Sequence, residues 1–403
     1  MAGASVPPLP RDEFAVTRRY VYLNHAAVGV VPQRTVAAVE AFVRDHAEGG
    51  VLGILACERS LPDIRARIGA LIGARGSEIA LTRNTTDGAT LLAQGLDWRP
   101  GDEILLCDDE FPANVRPWLA LRERGVIVRR HAVRLGRLTA DRLQRLLSER
   151  TRAVALSWVA FSDGHRHDLA ELAQVAHARG ALLFVDAIQG AGVLDLDARG
   201  CGADAIYAGG AKWLMALHGS GFLYLRDELR DRIRVALPGW RSVADIWAFF
   251  DELQPWAPDA SRFEGGTPGL AAALSLAVSC DLLRASGVAA IERHVTALIA
   301  RLDDGLRVRG MEILGEEGAP RRSGILTFRP PGRDPVAFGY ALQERGFVTT
   351  WRPSGVRVSP HGYTTVEEID RFLEAVDEVM RSDRPVASVH AEGKVQEEKT
   401  CSP

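Results

Sequence analysis

Short apolar segments alternate with helical patterns between residues 78 and 240, and this alternation restricts the fold more than any other feature. The apolar segments are DEILLCDD, VIVRRHAV, TRAVALSWV, ALLFVDA, ADAIYAG and GSGFLYL. Helical patterns stand between most of them, such as TADRLQRLLSER, in which Thr139 is placed to cap the helix N-terminus. Strands that are apolar on both faces and joined by helices are typical of a mostly parallel sheet covered on both sides. The sequence therefore predicts an α/β fold.

The pattern changes near residue 256, where we place a domain boundary. Two long helical stretches follow, and then a strand, a helix, a strand and a helix, as in a small α+β domain. We divide the chain into an N-terminal segment (1–20), a large α/β domain (21–255), a linker helix with a small C-terminal α+β domain (256–383), and a disordered tail (384–403). Ligand sites tend to lie in the cleft between two such domains.

Composition argues against several classes of function. The net charge is −3, so the chain has no basic surface for nucleic acid. No apolar run is long enough to span a membrane, and the N-terminus lacks the apolar core of a signal peptide, so we expect a cytoplasmic protein without membrane contact. The cysteines are scattered, without a CxxC pair, which argues against a disulfide framework and a zinc site. His165 and His167 have no further ligands nearby in sequence, so we predict no metal.

Lysine is almost absent from this chain. Lys212 is the only lysine outside the last ten residues, which hold Lys394 and Lys399, whereas Lys and Arg together number 49. A surface lysine is the simplest interpretation, but arginine takes that role everywhere else. Arginine can neither form a Schiff base nor lose its proton near neutral pH, so an amine nucleophile is the role from which it is excluded. We therefore predict that Lys212 is a nucleophile.

Asp186 ends the strand pattern ALLFVD, at the carboxyl end of a predicted parallel strand, where such sheets place ligands. Together with Lys212 it suggests a carboxylate that faces the pyridinium nitrogen of pyridoxal phosphate. The alternative is an acid that caps the next helix. Gln189 follows closely enough to donate a hydrogen bond to the same ring. Gly190 and Gly192 lack the third glycine of a dinucleotide fingerprint, which disfavours that function.

A candidate phosphate site follows the strand-like segment SEIALT. The segment RNTTDGA places Thr85 and Thr86 at a predicted helix start, where free backbone N–H groups and the positive end of the helix dipole favour an anion. Simple capping of the helix by either threonine is equally consistent with the sequence.

With these residues in place, the sequence resembles the class V aminotransferase family of fold type I pyridoxal phosphate enzymes. It looks most similar to the isopenicillin N epimerase-like branch, and more distantly to the cysteine desulfurases. The resemblance covers about residues 20 to 380 and rests on eight segments in order. They are YLNHAAVG, LTRNTTDG, DEFPANVRPW, SWVAFSDGHRHDL, FVDAIQGAG, GGAKWL, RFEGGTP and VRVSPHGYTTVEEID.

The resemblance implies a large domain with a mostly parallel, seven-stranded-type sheet between helices, a small C-terminal α+β domain, and a set of site residues. Lys212 would bind the cofactor as a Schiff base and move the substrate proton, and Asp186 would pair with the pyridine nitrogen. The other residues carried over are Gln189 near the ring hydroxyl, Thr85 and Thr86 at the phosphate, Phe111 stacked on the ring, Thr267 on the phosphate of a neighbouring subunit, Arg357 on the substrate carboxylate, and Asn24, His25 and Ala26 on the substrate side. The role of Thr267 implies a homodimer.

The chain departs from the family pattern at three places. Ala211 stands where relatives usually carry a histidine before the lysine, so one phosphate donor is lost. Phe111 stands where the desulfurases often carry a histidine, and phenylalanine cannot act as an acid or base. The desulfurases also need a nucleophilic cysteine before the carboxylate-binding arginine, and FVTTWRPSGVR contains none. The missing cysteine argues against persulfide chemistry on a cysteine of this chain.

The resemblance implies an enzyme that removes the Cα proton of an amino acid or amine-bearing metabolite. Transamination, loss of a β-substituent and epimerisation can all follow that step, and the fold does not select among them. We rank transamination first, with C–S or β-elimination lyase activity and epimerisation as alternatives. A non-catalytic regulatory protein that binds pyridoxal phosphate is the alternative from another class, and only Ala211 favours it.

Overall fold

The computed structural model describes residues 6–133, 137–315 and 323–382. Its largest sheet has seven strands in the order β4-β3-β5-β6-β7-β8-β2. These strands are β2 (Ile79–Thr82), β3 (Glu103–Cys107), β4 (Ile127–His131), β5 (Thr151–Ser157), β6 (Leu182–Asp186), β7 (Ala205–Gly209) and β8 (Gly221–Leu225). Six of these strands run in the same direction, and β8 runs opposite to them, between β7 and β2. The predicted mostly parallel sheet is confirmed.

The two faces of this sheet contribute to two separate hydrophobic cores. Along β6, Leu183 and Val185 belong to one core, whereas Phe184 between them belongs to the other. β3 alternates in the same way, with Leu105 in the first core and Ile104 in the second. Successive side chains of a strand point to opposite faces, so continuous apolar runs bury both faces of the sheet.

Helices cover both faces. The helices of this part are α1 (Gln33–Gly49), α2 (Val51–Arg59), α3 (Leu61–Leu71), α4 (Thr85–Gly95), α5 (Arg116–Leu119), α6 (Ala140–Leu146), α7 (Leu169–His177), α8 (Asp227–Arg230) and α9 (Leu270–Ser286). The first core takes side chains from α3, α6, α7 and α9, and the second from α4, α5 and α8. α6 begins as predicted, because the Thr139 hydroxyl accepts a hydrogen bond from the Arg142 backbone N–H.

The predicted helix over ANVRPWLALRERG is wrong in its continuity. The structure has the four-residue α5 between two 3₁₀ segments, Pro112–Asn114 and Ala120–Arg124. Pro117 has no N–H to donate to a preceding turn, so a regular helix cannot run through it from residue 113. The segment ends, as predicted, at Gly125, which has a φ of 78°.

The C-terminal part forms a smaller, antiparallel sheet of four strands in the order β12-β13-β10-β9. Its elements are α10 (Val288–Val308), β9 (Glu312–Ile313), β10 (Leu326–Arg329), α11 (Pro335–Glu344), β11 (Phe347–Val348), β12 (Thr350–Arg352), β13 (Gly355–Val358) and α12 (Val366–Arg381). The short strand β1 (Val21–Tyr22) pairs in parallel with β11, so the start of the chain is attached to this part. The predicted tail, 384–403, lies outside the described residues.

In the part of the chain that the structure describes, no single helix is long and apolar enough to cross a membrane. α9 and α10 reach that length and composition only as a pair, and their axes differ by 78°.

Candidate active site

Lys212 lies in the loop between β7 and β8, and close backbone packing fixes this loop. The Gly29 N–H donates to the Ala211 carbonyl at 2.8 Å, and a Cβ on Gly29 would lie only 1.9 Å from the Lys212 carbonyl oxygen. The loop then turns at Met215, whose φ is 54° and whose N–H donates to the Lys212 carbonyl. Only glycine therefore permits the N-terminal segment to pack this closely against the loop.

The amine of Lys212 lies in a largely dry environment. Burial lowers the pKa of Lys212 to about 8; the carboxylate of Asp186 opposes this effect, and the charges of Arg357 and Arg352 add to it. The Nζ atom lies 5.4 Å from the centroid of the Phe111 ring, and that ring remains 39% exposed. With this pKa, roughly a tenth of the amine is neutral at pH 7, far more than for an ordinary lysine, and the neutral amine is the form that acts as a nucleophile.

Asp186 is the last residue of β6 and is almost fully buried. Its Oδ1 atom accepts a hydrogen bond of 2.9 Å from the Ile188 N–H, and within the described residues no donor contacts Oδ2. Burial raises the pKa of Asp186 to about 6, against the effects of the Ile188 N–H and of Lys212. A buried carboxylate with one open oxygen is suited to a cationic partner that enters the site.

Gln189 joins three parts of the site. Its Nε2 atom donates to the Ala26 carbonyl at 3.0 Å, and its Oε1 atom accepts from the Trp213 indole at 3.0 Å. Both ends of the amide are thus engaged within the protein, so Gln189 ties the loop after β6 to the residue beside Lys212. Its predicted contact with a ring hydroxyl stays a prediction.

The start of α4 lies beside the end of β7. The Asn84 side chain caps the helix by accepting from the Asp87 N–H at 3.0 Å. The Thr85 hydroxyl accepts from the Gly209 N–H at 3.1 Å and is buried, whereas Thr86 is exposed. The cap is therefore Asn84, so the two threonines predicted at the phosphate occupy the first turn instead, where N–H groups lack helical partners.

In the segment predicted on the substrate side, His25 and Ala26 lie in the interior, whereas Asn24 contacts β12. His25 is fully buried, its Nε2 atom lies 3.1 Å from the Tyr363 hydroxyl, and burial holds its pKa well below its ordinary value. Ala26 is also buried and contacts Gln189 through its carbonyl. Asn24 accepts a hydrogen bond of 2.6 Å from the Thr350 hydroxyl. His25 thus packs as a neutral ring in the interior.

Arg357 lies on β13 at a cavity of about 140 Å³. The other residues that line this cavity are Phe161, Ser162, Thr327, Thr350, Arg352, Ser354 and Gly355. Arg357 is buried, and its Nη1 atom donates to the Phe161 carbonyl at 2.8 Å. Burial, and then the charge of Arg352, lowers its pKa to about 10. No acidic residue lines the cavity, and no ion pair involves either arginine within the described ranges.

Thr267 is exposed and lies elsewhere on the chain's surface. It lines a cavity of about 500 Å³ together with Arg83 and Asp87 at the start of α4. None of the described contacts joins it to Lys212 or Asp186. Its predicted role on a neighbouring subunit stays a prediction.

The sequence did not indicate where two further residues of this site lie or what they contact. Arg352 was a candidate for shaping the substrate pocket, with Trp351 and Trp240, and the structure places it at the same cavity as Arg357.

Glu110 precedes Phe111 and was passed over, although it belongs to the quoted segment DEFPANVRPW. Glu110 follows two other acidic residues, Asp108 and Asp109, so the sequence pattern did not distinguish it from a solvated acidic turn.

A mostly parallel α/β sheet, with the half-buried Lys212 in a loop beyond β7 and the buried Asp186 at the end of β6, is the arrangement of a fold type I pyridoxal phosphate enzyme. The chain belongs to the class V aminotransferase family, whose sequence model matches residues 21–372. Pyridoxal phosphate is the cofactor, since related structures in this family hold it. The predicted family, fold and cofactor are confirmed.

Most of the similar proteins have desulfurase or lyase names, although one relative from Bacillus subtilis, 28% identical over 315 residues, is named an uncharacterized aminotransferase. The chain is 28% identical over 393 residues to a probable cysteine desulfurase of Methanothermobacter thermautotrophicus, covering 92% of this chain and 97% of that one. The apo structure of a cysteine desulfurase from Thermococcus onnurineus NA1 is 25% identical, with a TM-score of 0.83 over 94% of this chain and 99% of that one. A cystine C–S lyase in complex with its product, cysteine persulfide, is 25% identical, with a TM-score of 0.82 over 89% and 97%.

Proposed function

We propose that this chain is a C–S lyase that removes a sulfur leaving group from the β-carbon of a cysteine-derived amino acid. The observation that carries the proposal is the similarity, over 89% of the chain, to a cystine C–S lyase. The desulfurase names of other relatives point to the same bond. These relatives favour the alternative that the sequence analysis ranked below transamination.

The residues around Lys212 suit that chemistry. When bound, pyridoxal phosphate withdraws electrons from the carbon that carries the substrate's amino group. Asp186 would hold the ring nitrogen, Phe111 would cover the ring, and the first turn of α4, with Thr85 and Thr86, would bind the phosphate. Lys212 would bind the cofactor covalently, and its Nζ atom would then take the Cα proton of the substrate.

The sulfur would leave with the product rather than pass to a cysteine of this chain. No cysteine lies in residues 347–357, and none lines the cavity at Arg357. With cystine as substrate, the Cβ–S bond breaks, its electron pair leaves with the sulfur, and a proton converts that sulfur to cysteine persulfide. The three-carbon fragment is released as 2-aminoacrylate, and water hydrolyses it to pyruvate and ammonia.

The two guanidinium groups favour a substrate with two carboxylates. Arg357 would hold the carboxylate next to the reacting carbon, because its planar fork can bind both oxygens. Arg352 supplies a second positive charge at the same cavity, without an acidic partner among the described residues. Cystine carries one carboxylate at each end, whereas cysteine carries only one.

Purified holoenzyme given cystine and no 2-oxo acid should release pyruvate and ammonia in equal amounts, together with a persulfide. Coupled assays for the two small products and alkylation with mass spectrometry for the persulfide measure this. An aminotransferase would need a 2-oxo acid and return a second amino acid, and an epimerase would form the D-enantiomer without releasing ammonia. A coloured protein that leaves cystine, cysteine and other amino acids unchanged would favour the regulatory alternative. Any of these results in place of lyase products would overturn the proposal.

Binding of pyridoxal phosphate to cofactor-free protein should speed up as the pH rises through about 8 and then level off. Burial lowers the pKa of Lys212 to about 8, so the neutral amine increases over that range and saturates above it. Stopped-flow absorbance after mixing protein with cofactor gives the rate. A rate that keeps rising well above that pH would show that the reacting amine has an ordinary lysine pKa.

A further inference from the structure

Glu110 is a buried carboxyl group in the loop after β3. It is 8% exposed and receives three hydrogen bonds: from the Ser157 N–H at 2.7 Å, the Ser157 hydroxyl at 2.5 Å, and the Asn114 side-chain amide at 2.8 Å. Within the described ranges it forms no ion pair. Ionising a buried carboxyl that has only neutral hydrogen-bond donors costs free energy, so such a group at this position indicates a role in the site.

The hydrogen bonds of Glu110 extend, through Ser157 and Asn114, to the two strands that flank Asp186. Ser157 is the last residue of β5 and lies opposite Asp186 in the β5–β6 register, and Tyr207 lies opposite Asp186 from β7. Paired residues of neighbouring strands point to the same face, so the three side chains share one face of the sheet. The Tyr207 hydroxyl donates to the Asn114 side chain, which in turn donates to Glu110. Glu110 is thus linked to both strands beside Asp186.

We propose that Glu110 is a positioning residue of the cofactor site, which fastens the loop carrying Phe111 to the strand ends around Asp186 and adds a second buried carboxyl beside it. It directly precedes Phe111, whose ring faces the Lys212 amine. The inference concerns the cofactor side of the site. It therefore does not depend on which bond of the substrate is cleaved.

The second carboxyl changes charge near neutral pH. Burial raises the pKa of Glu110 to about 7, the donors from Ser157 and Asn114 oppose this, and the charge of Asp186 adds to it. Above that pH, Glu110 therefore adds a negative charge beside Asp186.

Among the other titratable groups around Glu110, His167, Cys107 and Tyr207 keep their charge in this range, whereas Asp186, whose pKa burial raises to about 6, ionises at lower pH. Burial lowers the pKa of His167, which contacts the Ser157 carbonyl, to about 4 and holds those of Cys107 and Tyr207 well above their ordinary values. Arg137, the nearby cation, forms ion pairs with Asp109 and Asp163. Glu110 is thus the group in this network expected to ionise near neutrality.

The test compares wild-type holoenzyme with Glu110→Gln in the absence of substrate, by following the cofactor's visible absorbance across a pH titration. The spectra should coincide below about pH 7, where Glu110 is protonated, and diverge above it. Since a negative charge favours the protonated form of the cofactor, its loss should move the absorbance midpoint about one pH unit lower.

Two further variants separate this effect from a general loss of stability. Glu103→Gln removes a buried glutamate at the opposite end of β3, where it pairs with Arg129 and Arg150, and it should leave the titration unchanged. Glu110→Asp retains the charge and should restore most of the wild-type midpoint. The proposal is overturned if Glu110→Gln titrates like wild type, or if its spectrum differs equally at every pH. Neither result would bear on the lyase reaction, which is measured separately with substrate.

Discussion

Lys212→Ala is expected to abolish turnover of cystine, with a loss of at least about 10⁴-fold, and to remove the visible absorbance of the cofactor bound to lysine. Lys212 is the only lysine in the described part of the chain, so no second amine stands nearby to replace it. Steady-state kinetics and the absorbance spectrum of the purified variant measure the two effects.

Lys212→Arg is the matched variant, because it keeps the positive charge beside Asp186 but cannot form a Schiff base. It should be as inactive as the alanine variant while retaining similar thermal stability. If either variant kept more than a small fraction of the activity, the amine of Lys212 would not be the group that removes the Cα proton.

Arg357→Lys is expected to lower kcat/KM for every amino-acid substrate by about 100-fold, because a point charge replaces a two-pronged contact in a buried position. Arg352→Gln should act more selectively. It should lower kcat/KM for cystine, because the second carboxylate of cystine loses its partner. For S-methylcysteine, which has a single carboxylate, kcat/KM should change by less than about threefold. Initial rates of pyruvate release with both substrates give the comparison.

The ratio of kcat/KM for cystine to kcat/KM for S-methylcysteine separates the role of Arg352 from a general effect on the site. An equal loss of kcat/KM for both substrates in Arg352→Gln would show that Arg352 supports the site without binding a second carboxylate. Unchanged kinetics in Arg357→Lys would show that the substrate carboxylate is held elsewhere.

The large sheet could be predicted because its strands are apolar on both faces, and few other arrangements bury such segments. Phe184 and Val185 show the reason, since one lies in each core. The segment around Pro117 was predicted less well, because its apolar pattern suits a helix while its backbone cannot form one throughout. The sequence pattern alone does not show whether the apolar spacing or the missing N–H of Pro117 determines the backbone there.

The sequence indicates candidate site residues where chemistry restricts the residue type. Lys212 stood out because arginine cannot replace an amine, and Asp186 because it ends a buried strand. The position of Arg352 and the contacts of Glu110 could not be predicted, since they depend on the packing of distant segments, such as Glu110 against Ser157. His25 belonged to a family segment, yet its side chain points into the interior, a property that no sequence pattern encodes.

The most direct test of the central claim is the location of the cofactor's covalent bond. Holoenzyme is reduced with borohydride, digested with trypsin and analysed by mass spectrometry. A cofactor bound to Lys212 should block cleavage at that residue and give one peptide, residues 200–226, that carries the added mass of the reduced cofactor. Separate unmodified peptides 200–212 and 213–226 from fully coloured, reduced protein would contradict the account.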